Sequence, residues 1–297
     1  MAKRHPRDIV TLPNTRKFFI PDPGWMLIDA DLRGADAMVV AREAQDNEML
    51  DDLFSGTDLH SKNAAALFGT AFTALAAGPE RNALRQATKQ AVHATNYGCS
   101  PRTLATILGW TIRRAEDFQA SWFRLHPGIR AWQRRVEAEI TQTRTVRNAY
   151  GYRIIYFDRI ESLLGQALAW VPQSTVAETC FQGALRVEAG GFAAQMLLQV
   201  HDSIVFQIPK SLFSNETMSA IAALLQNPIP YDPPLVIPWK LSYSEKSWGD
   251  LTTWLPETSK IGSKPTPITL ETPKVLLPST SGLASPPSPP SFGGAYG

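Results

Sequence analysis

The chain has few cysteines and no long apolar run. Cys99 and Cys180 are its two cysteines, which excludes a disulfide framework and a cysteine zinc cluster and favours a reducing compartment. No apolar run approaches the roughly 18 to 20 residues that a membrane span needs, and no apolar segment follows the basic N-terminal residues. We therefore expect a soluble intracellular protein with no membrane partner.

An excess of charge of one sign is also missing from the chain as a whole. The net charge is only +2, and 44% of the 297 residues are hydrophobic and 19% charged, which is typical of one large globular domain or two modest ones. The charge is unevenly distributed, because residues 85–153 contain twelve Lys or Arg against four acids. Such a block suits a polyphosphate partner, although solvated helix faces would give the same composition.

A stretch that carries carboxylates, residues 25–40, organises the rest of the chain. An apolar run from Trp25 leads to Asp31, and Gly34 and Asp36 precede a second apolar run. The pattern predicts a buried strand, a turn and a helix, so Asp31 would lie at a strand end within reach of a metal or a phosphate. The alternative is that both aspartates only cap the helix or occupy its first turn.

The remaining chain predicts an α+β architecture, in which a helical block separates the parts of a sheet in sequence. Helices are predicted at 34–54, 58–68 with Asp58 as its cap, 80–97, 101–109, 113–125, 128–143, 162–188 with an interruption at Pro172, and 211–226. Strands are predicted at 146–157 as a hairpin, at 195–209 as a second hairpin with His201 and Asp202 at its tip, and at 235–243. Residues 70–79 are predicted to form a loop, and the Pro-rich residues from Pro256 onward a disordered tail.

Three groups of residues in this pattern have the chemistry of phosphoryl transfer. Two carboxylates on neighbouring strands can hold two Mg²⁺ ions about 3.5 to 4 Å apart, and a row of cations can neutralise a triphosphate. Four such residues recur at intervals of four along one helix face. The first two are cations, and the last two carry rings that can stack on a base or sugar. The groups are Asp31 with Asp36; Arg85, Lys89, His93 and Tyr97; and His201 with Asp202.

These motifs resemble the polymerase domain of family A DNA polymerases, the DNA polymerase I group, over most of the chain. Asp31-Leu-Arg-Gly-Ala-Asp36 resembles the family's first acidic motif, and residues 54–69 resemble the segment that enters its fingers. The four-residue spacing from Arg85 to Tyr97 matches its fingers helix. The later blocks are similar in Gly151-Tyr-Arg153, Gln173-Ser-Thr-Val-Ala-Glu178 and Gln199-Val-His201-Asp202.

The resemblance implies a template-directed DNA polymerase that adds dNMP to a primer 3′-hydroxyl. It implies two Mg²⁺ ions, for which Mn²⁺ can substitute, held by Asp31, Asp202 and the Leu32 carbonyl. Asp36 would exclude a 2′-hydroxyl. The residues implied to bind dNTP are Asp36, His60, Arg85, Lys89, His93 and Tyr97, and those implied to contact primer-template DNA are Gln173, His201 and Arg153.

The resemblance also divides the chain into a right-hand polymerase palm, with an antiparallel sheet, and inserted helical fingers. The implied parts are an N-terminal segment at 1–24, palm at 25–57, fingers at 58–143, palm at 144–253 and a Pro/Ser-rich tail at 254–297. The family's thumb and exonuclease regions precede this region. Because almost nothing precedes Leu12, we expect a split-gene subunit with a separate thumb or exonuclease polypeptide as its partner, a truncated reading frame, or an exceptionally reduced enzyme.

Four positions depart from the family pattern. Asp36 replaces a Glu, His93 replaces Phe or Tyr, Ser203 replaces a common Glu, and Ala169 replaces a frequent Asn. These departures are typical of divergent phage-type members. We therefore expect the protein to be located in the cytoplasm of a bacterial host or a phage-infected cell. Two other functions stay open: a partner-dependent or inactive split fragment that binds DNA, and a single-subunit RNA polymerase, against which Asp36 speaks.

Overall fold

Residues 14–158 and 163–256 are described by the computed structural model of the chain. The strands in chain order are β1 Trp25–Leu32, β2 Thr145–Arg147, β3 Arg153–Ile155, β4 Gln195–Val200, β5 Ser203–Pro209, β6 Trp239–Ser244 and β7 Thr252–Thr253. The helices are α1 Ala35–Glu43, α2 Asn47–Phe54, α3 Leu59–Phe68, α4 Thr70–Thr73, α5 Pro79–Asn96, α6 Pro101–Leu108, α7 Ile112–Leu125, α8 Pro127–Thr143, α9 Leu164–Ala189 and α10 Asn215–Leu224. The predicted α+β class is confirmed.

An antiparallel sheet in the order β4, β5, β1, β6, β7 contains the predicted acid-bearing strand at its centre. Side chains alternate between the two faces of a strand. Met26, Ile28 and Ala30 of β1 therefore share one face, which is buried in a core with residues of α1, α9 and α10. Leu27 lies on the other face in a smaller cluster with Trp248, and Asp31 lies on this same face.

The basic helix α5 is fixed at its C-terminal end by polar side chains from two other helices. The last carbonyl groups of an α-helix have no partner within the helix. Here Gln133 Nε2 of α8 donates to the carbonyls of Thr95 at 2.8 Å and Asn96 at 3.0 Å. Trp122 Nε1 of α7 donates to Asn96 Oδ1 at 2.8 Å. These buried bonds fix the C-terminal end of α5 against α7 and α8.

Two helix predictions are wrong at internal breaks. Residues 34–54 form two helices instead of one, because Gln45 has a positive φ of 56° and the Asp46 side chain caps α2 by accepting from Met49 N at 3.0 Å. Pro172 does not interrupt α9, which continues through it to Ala189. A proline removes one helical hydrogen bond, which for Pro172 is the bond to the Leu168 carbonyl, and the helix continues on both sides of it.

Three boundaries also differ from the prediction. Residues 70–79 are not wholly a loop, since α4 forms directly after Gly69. The helix predicted at 211–226 begins at Asn215, where Ser214 Oγ accepts from Thr217 N at 3.2 Å, after a 3-10 turn at Lys210–Leu212. The strand predicted from 235 begins at Trp239, directly after Pro238, which has no N–H to give to a ladder.

No helix within residues 14–158 and 163–256 combines the length and apolar character needed to cross a bilayer. The predicted Pro-rich tail lies outside the described residues from position 257 onward. The boundaries between palm and fingers stay predictions.

Gly128→Ala is expected to destabilise the protein, because a Cβ at Gly128 would lie 2.1 Å from the Ala44 carbonyl oxygen. Overpacking against backbone costs about 1–3 kcal/mol, which lowers the melting temperature by roughly 2–9 °C for a domain of this size. Gly78→Ala is the matched control, since nothing lies within 4 Å of a Cβ there. Equal melting temperatures for the two variants would contradict the close approach of α8 to the end of α1.

Candidate active site

Two carboxylates lie close together at one end of the central strands β1 and β5. Asp31 is the next-to-last residue of β1, and Asp202 lies in the two-residue turn between β4 and β5. The Leu32 N–H donates to the Asp202 carbonyl at 2.9 Å, and Asp31 pairs with Ser203 across the strands. The structure therefore brings together two acids that lie far apart in the sequence.

Burial and neighbouring negative charges both disfavour an ionised Asp31. Burial raises the pKa of Asp31 from 3.8 to about 6, and the negative charges of Asp202 and Asp29 add to this effect, while Lys240 and Arg16 oppose it. Burial, together with Asp202 and Asp31, also raises the pKa of the Cys180 thiol on α9 to about 12. A cation between the acids would relieve the unfavourable energy of these charges.

Asp31→Asn is expected to stabilise the metal-free protein at pH 8 but not at pH 4. Because the folded-state pKa of Asp31 is raised, ionising this group costs stability above about pH 6, and the cost disappears as the pH falls to 3.8. For a half-exposed group, the gain at pH 8 is on the order of 1–2 kcal/mol after allowance for solvent screening. Denaturant unfolding in EDTA measures it, with the exposed Asp51→Asn as control. An equal gain in stability at both pH values would contradict a raised pKa of Asp31 in the folded protein.

Two adjoining cavities contain most of the predicted site residues. The smaller, about 370 Å³, is lined by Asp31, Leu32, Asp36, His60, Lys89, His93 and Asp202, together with apolar residues from α2, α3 and α5. The larger, about 670 Å³, is lined by Asp36, His93, Gln173, Gln199, His201 and Asp202. Asp36, His93 and Asp202 line both cavities, which therefore meet at these three residues.

Asp36 lies in the first turn of α1 and is held by the rings of His93 on α5 and Tyr97 directly after α5. Tyr97 donates its hydroxyl to Asp36 Oδ1, and His93 Nε2 lies 3.5 Å from Asp36 Oδ2. Burial raises the pKa of Asp36, although the Tyr97 hydrogen bond and His93 oppose the change. The His93 and Tyr97 rings meet edge to face with centroids 4.6 Å apart. The three predicted residues therefore form one cluster.

His60 and Lys89 line the smaller cavity, whereas Arg85 is held beside it. His60 Nδ1 is buried without a partner among the described residues, and burial, with Lys89 and Arg85, lowers the pKa of His60. Arg85 donates twice to Asp58, from Nε and Nη2, each at 2.8 Å. These bonds hold the pKa of Asp58 below its usual value. Asp58 also caps α3, as predicted, by accepting from Ser61 N at 3.4 Å.

The residues predicted to contact DNA are only partly brought together. Gln173 and His201 line the larger cavity, and His201 has a positive φ of 55°, which is uncommon for residues other than glycine, although His, Asn and Asp adopt it more often than the rest. Arg153 lies exposed on β3 and is not among the described residues that line either cavity.

The sequence analysis missed Asn63 and Asp29, which are among the buried polar residues near the site. Asn63 lines the smaller cavity one turn after His60, and its Nδ2 has no partner among the described residues. Its spacing of three residues from His60 on a helix was the available signal. Asp29 lies two residues before Asp31 on the same strand face, and a period-two reading of β1 was the signal for it.

The acids fit a divalent cation that is shared with substrate. Among the described residues, no group of three or more His, Cys, Asp or Glu could hold a metal ion alone. Mg²⁺ is usually bound by one or two carboxylates and completes its shell with water and substrate phosphates. Two carboxylates and the Leu32 carbonyl, beside a cavity that contains Lys89, match that donor set.

An antiparallel sheet whose two acids line one cavity with Lys89 and His93 of a basic helix is typical of the polymerase-palm class of fold. The chain belongs to DNA polymerase family A, whose family model matches residues 6–250. The solved structure described as the POL domain of Pol1 from M. smegmatis in complex with DNA primer-template and dNTP has a similar fold, with a TM-score of 0.64 at 22% identity over 78% of this chain and 42% of that chain. The predicted family and palm architecture are confirmed.

Curated relatives include bacterial and phage enzymes. The thermostable DNA polymerase I of Thermus filiformis is 28% identical over 231 residues, covering 75% of this chain and 27% of that protein. The DNA polymerase of Mycobacterium phage D29 is 27% identical over 245 residues, covering 81% of this chain and 38% of that protein. The chain therefore spans between about a quarter and two fifths of the length of these relatives.

Proposed function

We propose that this chain is the nucleotidyl-transfer module of a template-directed DNA polymerase, which adds dNMP to a primer 3′-hydroxyl. The observation that carries the proposal is the smaller cavity, where Asp31 and Asp202 lie across from His60 and Lys89. Acids for a divalent metal and cations for a triphosphate are what this transfer requires. The larger cavity, which adjoins at the acids, has room for the primer terminus.

The acids would hold the divalent ions. Asp31, Asp202 and the Leu32 carbonyl are the proposed ligands of two Mg²⁺ ions, or of Mn²⁺. When bound, these ions supply Lewis acidity to the attacking hydroxyl and to the departing pyrophosphate. Asp31 near the end of β1 and Asp202 in the adjoining β4–β5 turn would hold the primer 3′-hydroxyl and the α-phosphate of the dNTP close together through the ions.

The α3 and α5 side chains would bind the incoming nucleotide. Lys89 and His60 would contact its phosphates, and Arg85 would join them by exchanging Asp58 for a phosphate, since both anions suit its planar fork. His93 would stack on the sugar. Asp36, held by Tyr97, would lie where a 2′-hydroxyl would otherwise go. Gln173, His201 and Arg153 are the proposed contacts to primer-template DNA.

Primer extension tests this function. The purified chain is incubated with Mg²⁺ or Mn²⁺ at low salt and four primer-templates that differ only in the templating base. We expect addition of the complementary dNMP alone and little addition from rNTPs. DNA binding with no extension would favour the partner-dependent fragment, and equal use of rNTPs would favour an RNA polymerase. A separate thumb or exonuclease polypeptide stays a prediction that co-purification would test.

A further inference from the structure

A buried carboxylate beside the proposed metal site has two hydrogen-bond donors. Asp29 on β1 is 7% exposed. The Ser203 hydroxyl donates to its Oδ1 at 2.6 Å, and Trp248 Nε1 donates to its Oδ2 at 2.6 Å. Hydrogen bonds to an ionised carboxylate are short and about twice as strong as neutral ones. The carboxylate is therefore held firmly on both sides.

Ser203 connects Asp29 to the tip of the hairpin. It directly follows Asp202 and pairs with Asp31 across the strands. The turn that carries Asp202 also contains His201 at a positive φ, as the two-residue turn of a β-hairpin commonly requires. The bond from Ser203 to Asp29 therefore ties the hairpin tip to the strand that carries Asp31.

Trp248 fixes the other side of Asp29. Its backbone N–H donates to the Phe19 carbonyl at 2.8 Å, and the Arg16 guanidinium lies 4.3 Å from its ring centroid. Burying a carboxylate is costly, and well-packed apolar residues often replace buried charges without loss of stability. A role in stability alone therefore accounts poorly for an acid at this position.

We propose that Asp29 is a positioning residue, which acts through Ser203 to hold Asp202 at the distance from Asp31 that a divalent cation requires. The proposal rests on the proposed function, since it assigns the support of the same metal site. Replacing a residue that orients a metal ligand typically lowers metal affinity or activity by about 10–100-fold. Asp29 on β1 and Ser203 on β5 would together hold the turn that carries Asp202 in place.

Mn²⁺ binding, followed by electron paramagnetic resonance in the absence of turnover, tests the proposal directly. We expect Ser203→Ala and Asp29→Ala each to weaken Mn²⁺ binding about ten-fold or more. Asp29→Asn is expected to fall between wild type and Asp29→Ala, because an amide can accept from Trp248 and donate to the Ser203 oxygen. In extension assays, the same variants should need more Mg²⁺ at an unchanged KM for dNTP.

Ser242→Ala is the matched control, since it removes a buried serine that pairs with Asp29 from the other neighbouring strand. It should bind Mn²⁺ as wild type does. Folded Ser203→Ala protein that binds Mn²⁺ as tightly as wild type would overturn the positioning role, whatever happens to Asp29→Ala. Wild-type protein that binds no Mn²⁺, either alone or with primer-template DNA and a nonhydrolysable dNTP analogue, would overturn the metal site itself, and the positioning role with it.

Discussion

Asp31→Asn and Asp202→Asn are each expected to lower the rate of primer extension by on the order of 10³-fold or more. Metal-assisted charge stabilisation contributes several kcal/mol to a transition state, and each 1.36 kcal/mol corresponds to a factor of ten in rate. An amide keeps the size of the side chain but removes the negative charge that the cation needs. Single-turnover extension with saturating dNTP measures the effect on the chemical step.

The control for these variants is Asp51→Asn, which neutralises an exposed acid of α2. It should extend primers at the wild-type rate. Because Asp31→Asn is expected to be the more stable protein at pH 8, its loss of activity would not be due to unfolding. Retention of a tenth or more of the wild-type rate in either acid variant would contradict the proposed role of these carboxylates.

Lys89→Ala is expected to lower kcat/KM for dNTP by about 10–100-fold, mainly through a higher KM. A hydrogen bond to a charged partner contributes about 1.5–3 kcal/mol. Lys89 contributes an ammonium group to the lining of the smaller cavity. Steady-state extension over a range of dNTP concentrations, at fixed primer-template, measures this change. The affinity for DNA alone should change little.

Lys62→Ala provides the comparison for Lys89→Ala. Lys62 lies on α3, but its ammonium group pairs with Glu48 at 3.0 Å and with Asp52. Its removal should leave KM for dNTP within about two-fold of wild type, because exposed ion pairs contribute about 1 kcal/mol or less. An equal loss in both variants would indicate a general effect of positive charge and would contradict a specific phosphate contact at Lys89.

Local sequence patterns predicted much of the fold and the composition of the site. The apolar run before Asp31 gave β1, the two runs around His201 gave the β4–β5 hairpin, and the four-residue repeat from Arg85 gave α5. Asp58 was predicted as a helix cap from its position alone, and it is one. Patterns of this kind depend on neighbours within a few residues, which the sequence shows directly.

Contacts between distant segments could not be predicted in the same way. Asp58 also binds Arg85, 27 residues away, so the predicted phosphate-binding Arg is engaged before any substrate arrives. Tyr97 reaches Asp36 across 61 positions. Asp29 resembled an ordinary interior residue of a strand, because its partners Ser203 and Trp248 lie 174 and 219 positions away. Such pairings follow from the tertiary packing of the sheet.

The most direct test of the central claim is anomalous scattering from Mn²⁺ in a crystal of this chain with primer-template DNA and a nonhydrolysable dNTP analogue. We predict two Mn²⁺ peaks about 3.5–4 Å apart, both in contact with Asp31 or Asp202, with the triphosphate beside Lys89. Mn²⁺ bound elsewhere, or a triphosphate in the cavity with no metal at these two acids, would contradict the account.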